Sequence, residues 1–148
     1  MTATNLTARN VETALRKKRN AEKAAFFPRF FKAGKGEYAE GDKFLGVIVP
    51  EQRKIAKQFQ TLPIDEVRKL LDSPFHECRL TGVLILVAHY ERAKSEQDRK
   101  SIYDFYLGNA EQVNNWDLVD SSAHNIAGPF LLEKSHRPLF KLAKSKNL

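Results

Sequence analysis

Trp116 and Asp120 are a pair whose types and spacing could do chemistry on a cation. They lie in the stretch Asn114-Asn115-Trp116-Asp117-Leu118-Val119-Asp120, which holds the chain's only tryptophan. If Asn114 or Asn115 caps a helix that begins at Trp116, the i,i+4 spacing places both side chains on one face. An aromatic face attracts a cation, and a carboxylate attracts it more strongly. The same pattern is also typical of a half-buried tryptophan beside a first-turn acid, which needs no ligand.

The charge of the chain is unevenly distributed. Its 148 residues are enough for one domain with its own core, and we treat 1–148 as a single helical domain. Residues 1–36 carry nine Lys or Arg against two acids, and residues 134–148 carry five against none. The residues between them are mildly acidic, so the net charge of +7 is concentrated at the two ends. Basic ends can contact a phosphate backbone or can be solvated tails, and charge alone does not decide between them.

Several classes of protein are not supported. The longest apolar run, residues 82–88, is too short to span a bilayer, and no signal peptide is visible. The single cysteine, Cys78, rules out an internal disulfide and suits a reducing compartment. We therefore expect a soluble cytoplasmic protein with no membrane partner.

No cofactor or metal site is expected either. The four histidines lack partners at the spacings of zinc ligands: His76, His89, His124 and His136. The glycine-rich stretch over residues 33–47 matches neither Gly-x-Gly-x-x-Gly nor a Walker sequence, so a mononucleotide site is not supported. Its glycines could still let backbone N–H groups approach a phosphate, with Lys35 and Lys43 beside them. Phe44, Leu45 and Val47 are expected to anchor this loop in the core.

The apolar spacing predicts an all-α protein. We predict about eight helices and no strand, over residues 5–19, 21–32, 50–59, 63–71, 75–92, 96–108, 116–132 and 136–144. Helix 75–92 is apolar nearly all round and should be the buried central helix. His76 at its start is expected to be a capping or surface residue. The phenylalanines of the second helix should face the core: Phe26, Phe27, Phe30 and Phe31.

Helices of these lengths joined by short turns suggest antiparallel helix pairs stacked side by side. No strict repeat period is visible, although degenerate HEAT-type pairs would hide one. Stacks of this kind curve, and their concave side can hold an extended partner.

Several segments together make the chain similar to a known family, the AlkD-like DNA alkylation repair proteins. The matching segments are residues 30–38, 41–47 with Pro50, 76–77 with Arg79, 102–106 and 115–120. The similarity covers most of residues 20–148, in the family's order. Family members continue beyond the position of Leu148 with a segment rich in Arg and Trp. The resemblance therefore implies that this chain carries the N-terminal and central part of the family's domain.

The resemblance implies an α-solenoid, an α-α superhelix of HEAT-like helix pairs whose concave cationic surface binds duplex DNA with alkylated bases. The implied activity is excision of N3- or N7-alkylated purines, without a deep base-flipping pocket and by a monomer. Trp116 falls where the family has a substrate-contacting tryptophan, and Asp120 where it has the catalytic carboxylate. Candidates for phosphate contacts are Lys35, Lys43, Arg53 and Arg79. The alternative is a non-catalytic helical-repeat module that binds DNA or protein, or a scaffold without a ligand.

Overall fold

The computed structural model describes residues 6–31, 33–36, 40–113, 116–122, 125–126 and 129, without the side chains of Phe30, Trp116, Asp117 and Asp120. Its helices are α1 (Ala8–Arg16), α2 (Ala21–Phe30), α3 (Val49–Gln58), α4 (Ile64–Leu71), α5 (His76–Arg92), α6 (Glu96–Gly108) and α7 (Trp116–Ser122), with a short 3-10 helix at Ala110–Gln112. The described ranges contain no strand, only an isolated parallel bridge between Lys43 and Phe75. The all-α prediction is confirmed for these residues.

Polar caps determine where three of the helices begin. The side chains of Thr7, Asn20 and Ser95 accept hydrogen bonds from the backbone N–H three residues later, at 3.2, 3.0 and 3.1 Å. Each satisfies a donor that the start of a helix leaves without an intrahelical partner. The cap at Ser95 agrees with the predicted start of the helix over residues 96–108. Helix α3 begins at Val49, one residue before the prediction, with Pro50 in the first turn where its missing N–H costs little.

Helix α5 is the centre of the core, as the sequence predicts. Most of its residues are buried, among them Leu80, Val83, Ile85 and Leu86. It packs against α3 and α4, and also against α6, α7 and α1. Because apolar side chains surround this helix, its neighbours can cover it on nearly every side.

The tightest approach to α5 is made by α4, at Gly82. A Cβ atom at this position would lie 3.1 Å from Leu70 Cβ and 3.4 Å from a Leu71 methyl group. Gly82 therefore lets the two helices pack closely, although a glycine in a helix interior lowers the stability of that helix.

Some predicted boundaries and faces are wrong. Helix α1 ends at Arg16 rather than at residue 19. The predicted helix over residues 116–132 is not continuous, because residues 125 and 126 form a turn in which both N–H groups bond the Ser122 carbonyl oxygen. The predicted helix over residues 136–144 lies outside the described residues. Phe26 is 56% exposed and does not face the core, whereas Phe31 is buried. No helix among the described residues has both the length and the apolar character to cross a membrane.

Candidate functional site

Helix α7 is held in place by two residues one turn apart. Leu118 and Ser122 are fully buried, and α7 packs on α5. The Ser122 hydroxyl donates to the Leu118 carbonyl oxygen at 2.6 Å and lies 2.9 Å from the hydroxyl of Tyr106 on α6. Because Ser122 has one hydroxyl proton and uses it on Leu118, Tyr106 is the donor to Ser122. Burial raises the pKa of Tyr106, and the bond to Ser122 acts in the opposite direction.

The backbone of α7 places Trp116 and Asp120 one turn apart. Helix α7 is described from Trp116 and includes both residues, whereas the predicted cap at Asn114 or Asn115 lies outside the described residues. Trp116 precedes the buried Leu118 by two residues, and Asp120 precedes the buried Ser122 by two, which is about 200° of rotation in each case. Both positions are therefore on the side of α7 opposite its buried face. The side chains of Trp116 and Asp120 lie outside the described residues, so their roles stay predictions.

Three of the four candidate cations are on the surface. Lys35 and Lys43 are exposed in the glycine-rich loop, and Arg53 is exposed on α3. Arg53 lines an open groove of about 320 Å³ between α3 and α5, together with Lys57 one turn later. These positions are accessible to a phosphate backbone, and the groove borders the helix on which α7 packs.

The fourth candidate, Arg79, lies in the interior. It is 5% exposed, and its guanidinium donates to a carboxylate oxygen of Asp42 at 2.5 Å and to the Ser73 carbonyl oxygen at 2.9 Å. Asp42 precedes Arg79 by 37 residues, so a sequence pattern alone gives no indication of this pair. Arg79 therefore connects α5 to the glycine-rich loop, and it is not exposed at the surface where DNA could contact it.

Backbone N–H groups of the glycine-rich loop do bind an anion, but this anion is a side chain of the protein itself. The buried carboxylate of Glu77 accepts hydrogen bonds from the backbone N–H groups of Leu45, Gly46 and Val47, at 2.8 to 3.1 Å. Successive N–H groups of this kind form an anion-binding nest. The sequence left open that N–H groups of this loop approach a phosphate. Those of residues 45–47 are bonded to Glu77 instead.

Gly46 is required by the geometry of this loop. Its φ of +83° belongs to the left-handed region, and a Cβ atom would overlap the carbonyl oxygen of Asn20. On the other side, the amide of Gln52 donates to the Val47 carbonyl oxygen at 2.9 Å. The predicted anchoring of the loop in the core is confirmed, since Leu45 and Val47 are buried.

His76 is buried, so its predicted position at the surface is wrong. Its imidazole stacks on the rings of Phe31 and Phe44, with centroids 4.5 and 5.1 Å away. Its Nδ1 lies 3.5 Å from the Asp42 carboxylate. The aromatic rings come from α2 and from the loop, so the histidine becomes enclosed only when these segments meet.

Sequence reasoning missed the structural role of Glu77 and Asp42. Glu77 lies in the first turns of a helix predicted to be buried, and this signal could have been used, because a buried carboxylate needs several donors nearby. Asp42 gave no comparable signal. Among the described residues, no three His, Cys, Asp or Glu side chains are grouped in a way that could hold a metal ion.

Comparison with known proteins identifies the family. The family model described as DNA alkylation repair enzyme matches residues 11–148. No curated protein and no solved structure matches the chain. The family match includes every helix described above except the first residues of α1, and it includes Trp116 and Asp120. The chain belongs to the DNA alkylation repair enzyme family.

Proposed function

We propose that this protein hydrolyses the N-glycosidic bond of N3- or N7-alkylated purines in duplex DNA. The observation that carries the proposal is the family match over residues 11–148, which includes a helix that begins at Trp116 and carries Asp120 one turn later. Asp120 is the proposed catalytic carboxylate, and Trp116 the proposed contact with the cationic nucleotide.

The chemistry of alkylated purines explains why a carboxylate and an aromatic ring are sufficient for the proposed reaction. Alkylation at N3 or N7 makes the purine cationic and therefore a good leaving group, so no acid is needed to protonate it. When the bond between C1′ and the purine nitrogen breaks, its electron pair leaves with the base and positive charge develops on the deoxyribose. Water then adds at C1′ and loses a proton, which yields the free alkylpurine and an abasic site.

A fixed anion near C1′ stabilises this transition state. At a distance of about 4 Å and an effective dielectric near 20, the attraction is on the order of 4 kcal/mol. That value corresponds to roughly a thousandfold in rate. In the proposed mechanism Asp120 supplies this anion and orients the attacking water, while the indole of Trp116 attracts the cationic nucleotide through its ring face.

We further propose that the helices form an α-α superhelix with a DNA-binding inner layer. In support, α5 packs against α3 and α7 as well as against α4 and α6. Contacts between every second helix are what two layers of stacked helix pairs produce. In that arrangement α3, α5 and α7 share a layer, so the groove lined by Arg53 lies on the same layer as Asp120.

The direct test is the release of 7-methylguanine or 3-methyladenine from methylated duplex DNA. The wild-type protein should release the base in single-turnover assays, and Asp120→Asn should be slower by about a thousandfold with unchanged or tighter DNA binding. Asp117→Asn is a matched control, because it removes the same charge from the same helix three residues away. Equal rates for the two variants would exclude Asp120 as the catalytic carboxylate.

The alternative of a non-catalytic binding module has its own outcome. Tight DNA binding without base release by the wild-type protein would support the module and refute the glycosylase. The logarithm of the DNA association constant should fall linearly with the logarithm of salt concentration, by about 0.9 per phosphate contact. Arg53→Ala should reduce that slope by about one, whereas Lys100→Ala, which removes an exposed lysine bonded to Asp104 on α6, should not.

A further inference from the structure

We propose that Tyr106 is a positioning residue for the α7 active site, acting through Ser122. The inference rests on the proposed function of Asp120. The inference concerns how the Asp120 carboxylate is positioned relative to the substrate, and it assigns no new reacting group.

Helix α7 cannot determine its own position. Most of the stability of a helix in a protein comes from tertiary packing rather than from the helix itself. The orientation of α7 therefore comes from its packing on α5 and from the bond between Ser122 and Tyr106 of α6. Leucine packing is non-directional, since it depends on the apolar area removed from water. A hydrogen bond depends steeply on angle, so it restricts rotation about the helix axis.

The hydrogen bonds form a short buried chain that ends on α7. Tyr106, 7% exposed, donates to Ser122, and Ser122 donates to the Leu118 carbonyl oxygen. Leu118 and Ser122 flank Asp120 on both sides along the helix. A rotation of α7 about its axis moves Asp120 and also stretches the hydrogen bond from Tyr106 to Ser122. These hydrogen bonds therefore restrict the position of Asp120 from the buried side of the helix.

The expected effect is on the rate of reaction rather than on binding. A misplacement of about 1 Å in a catalytic group can lower a rate about a hundredfold. DNA binding is distributed over many phosphate contacts, so it should change little. Tyr106→Phe keeps the ring in the core and removes only the hydroxyl.

The test is a double-mutant cycle on the single-turnover rate of alkylpurine release. Tyr106→Phe and Ser122→Ala should each lower the rate by about 10- to 100-fold, with DNA affinity within about twofold of wild type. The double variant should be no slower than the slower single variant, because both remove the same bond. Tyr90→Phe, the same change at a buried tyrosine of α5, is the control and should leave the rate within about twofold. Multiplicative losses, or a rate for Tyr106→Phe equal to that of Tyr90→Phe, would overturn the proposal.

A second readout separates this proposal from the proposed function. Trp116 is the only tryptophan and lies on α7, so its fluorescence reports the environment of that helix alone. Tyr106→Phe should shift its emission maximum or its quenching by acrylamide, and Tyr90→Phe should not. If the wild-type protein releases no alkylpurine, the glycosylase proposal fails, but the fluorescence comparison still shows whether Tyr106 positions α7. Identical fluorescence in both variants would refute the positioning role by itself.

Discussion

Replacing Glu77 by glutamine should destabilise the protein by several kcal/mol without changing the size of any side chain. The Glu77 carboxylate is fully buried and accepts bonds from three consecutive backbone N–H groups, those of Leu45, Gly46 and Val47. Oxygen Oε2 is within 3.1 Å of all three donors, and Oε1 is 3.0 Å from the first. The carboxylate therefore connects α5 to the loop that precedes α3.

The magnitude follows from these contacts. A hydrogen bond to a charged group contributes roughly 1.5 to 3 kcal/mol, about twice a neutral one. Glutamine in the same place can offer one oxygen to the nest, but it loses the charge and turns its amide donors toward the backbone N–H of Leu45. We expect Glu77→Gln to cost about 2 to 4 kcal/mol. Glu77→Ala leaves three buried donors without an acceptor and should cost about 3 to 5 kcal/mol or prevent folding.

The assay is urea unfolding followed by circular dichroism, with Glu111→Gln as the control. Glu111 is exposed on the 3-10 helix, and the same substitution there should change the free energy of unfolding by no more than about 0.5 kcal/mol. Amide hydrogen exchange should show faster exchange at residues 45–47 in Glu77→Gln, since these are the donors released. If Glu77→Gln and Glu111→Gln unfold at the same urea concentration, the carboxylate does not hold the loop and the reasoning is refuted.

Three further predictions concern single positions. Gly46→Ala should cost more than about 2 kcal/mol, because its φ is +83° and a Cβ would overlap Asn20, whereas Gly108→Ala, with open space around its Cβ, should be neutral or slightly stabilising; equal unfolding midpoints would contradict this. Burial raises the pKa of Cys78 to about 11, so the native thiol should react with a disulfide reagent at about pH 8 far more slowly than the urea-unfolded thiol; equal rates would show that it is accessible. A hydrogen bond from the first N–H of α1 and one from Lys69 lower the pKa of Glu66 from its ordinary value, so its contribution to stability is full above the unfolded pKa and is lost as pH falls through the folded pKa. The difference in urea midpoint between wild type and Glu66→Gln should therefore shrink as the pH is lowered from neutrality into the acid range, and a difference independent of pH would refute the role of that bond.

The helices could be predicted from the sequence because their boundaries are local. Asn20 and Ser95 cap helices with their own side chains, and Pro50 suits a first turn wherever the rest of the chain lies. The centrality of α5 was equally local, since a helix that is apolar nearly all round can be stable only inside a core. That Trp116 and Asp120 share one helix was predicted from the same type of pattern.

The features that could not be predicted depend on residues far apart in sequence. His76 is buried because Phe31 and Phe44 enclose its ring, and neither lies within its own helix. Arg79 is a candidate for phosphate contacts from the sequence, but in the structure Asp42 of the loop pairs with it. Composition and periodicity indicate that a cation or a histidine is present; they do not indicate which distant carboxylate or ring it meets.

Glu77 and Asp120 show why the position of a carboxylate decides its use. The Glu77 carboxylate is fully buried and bonded to three backbone N–H groups, so it cannot contact a substrate and contributes to folding. By helix geometry the position of Asp120 is on the side of α7 opposite its buried residues, and in the proposed mechanism its carboxylate faces the reacting sugar. The two acids should therefore give opposite results when changed to their amides. Glu77→Gln should lower the free energy of unfolding with little effect on the rate per folded molecule, and Asp120→Asn should lower the rate with little effect on unfolding. A loss of stability in Asp120→Asn as large as in Glu77→Gln would mean that Asp120 is also a structural acid, and the proposed mechanism would lose its anion.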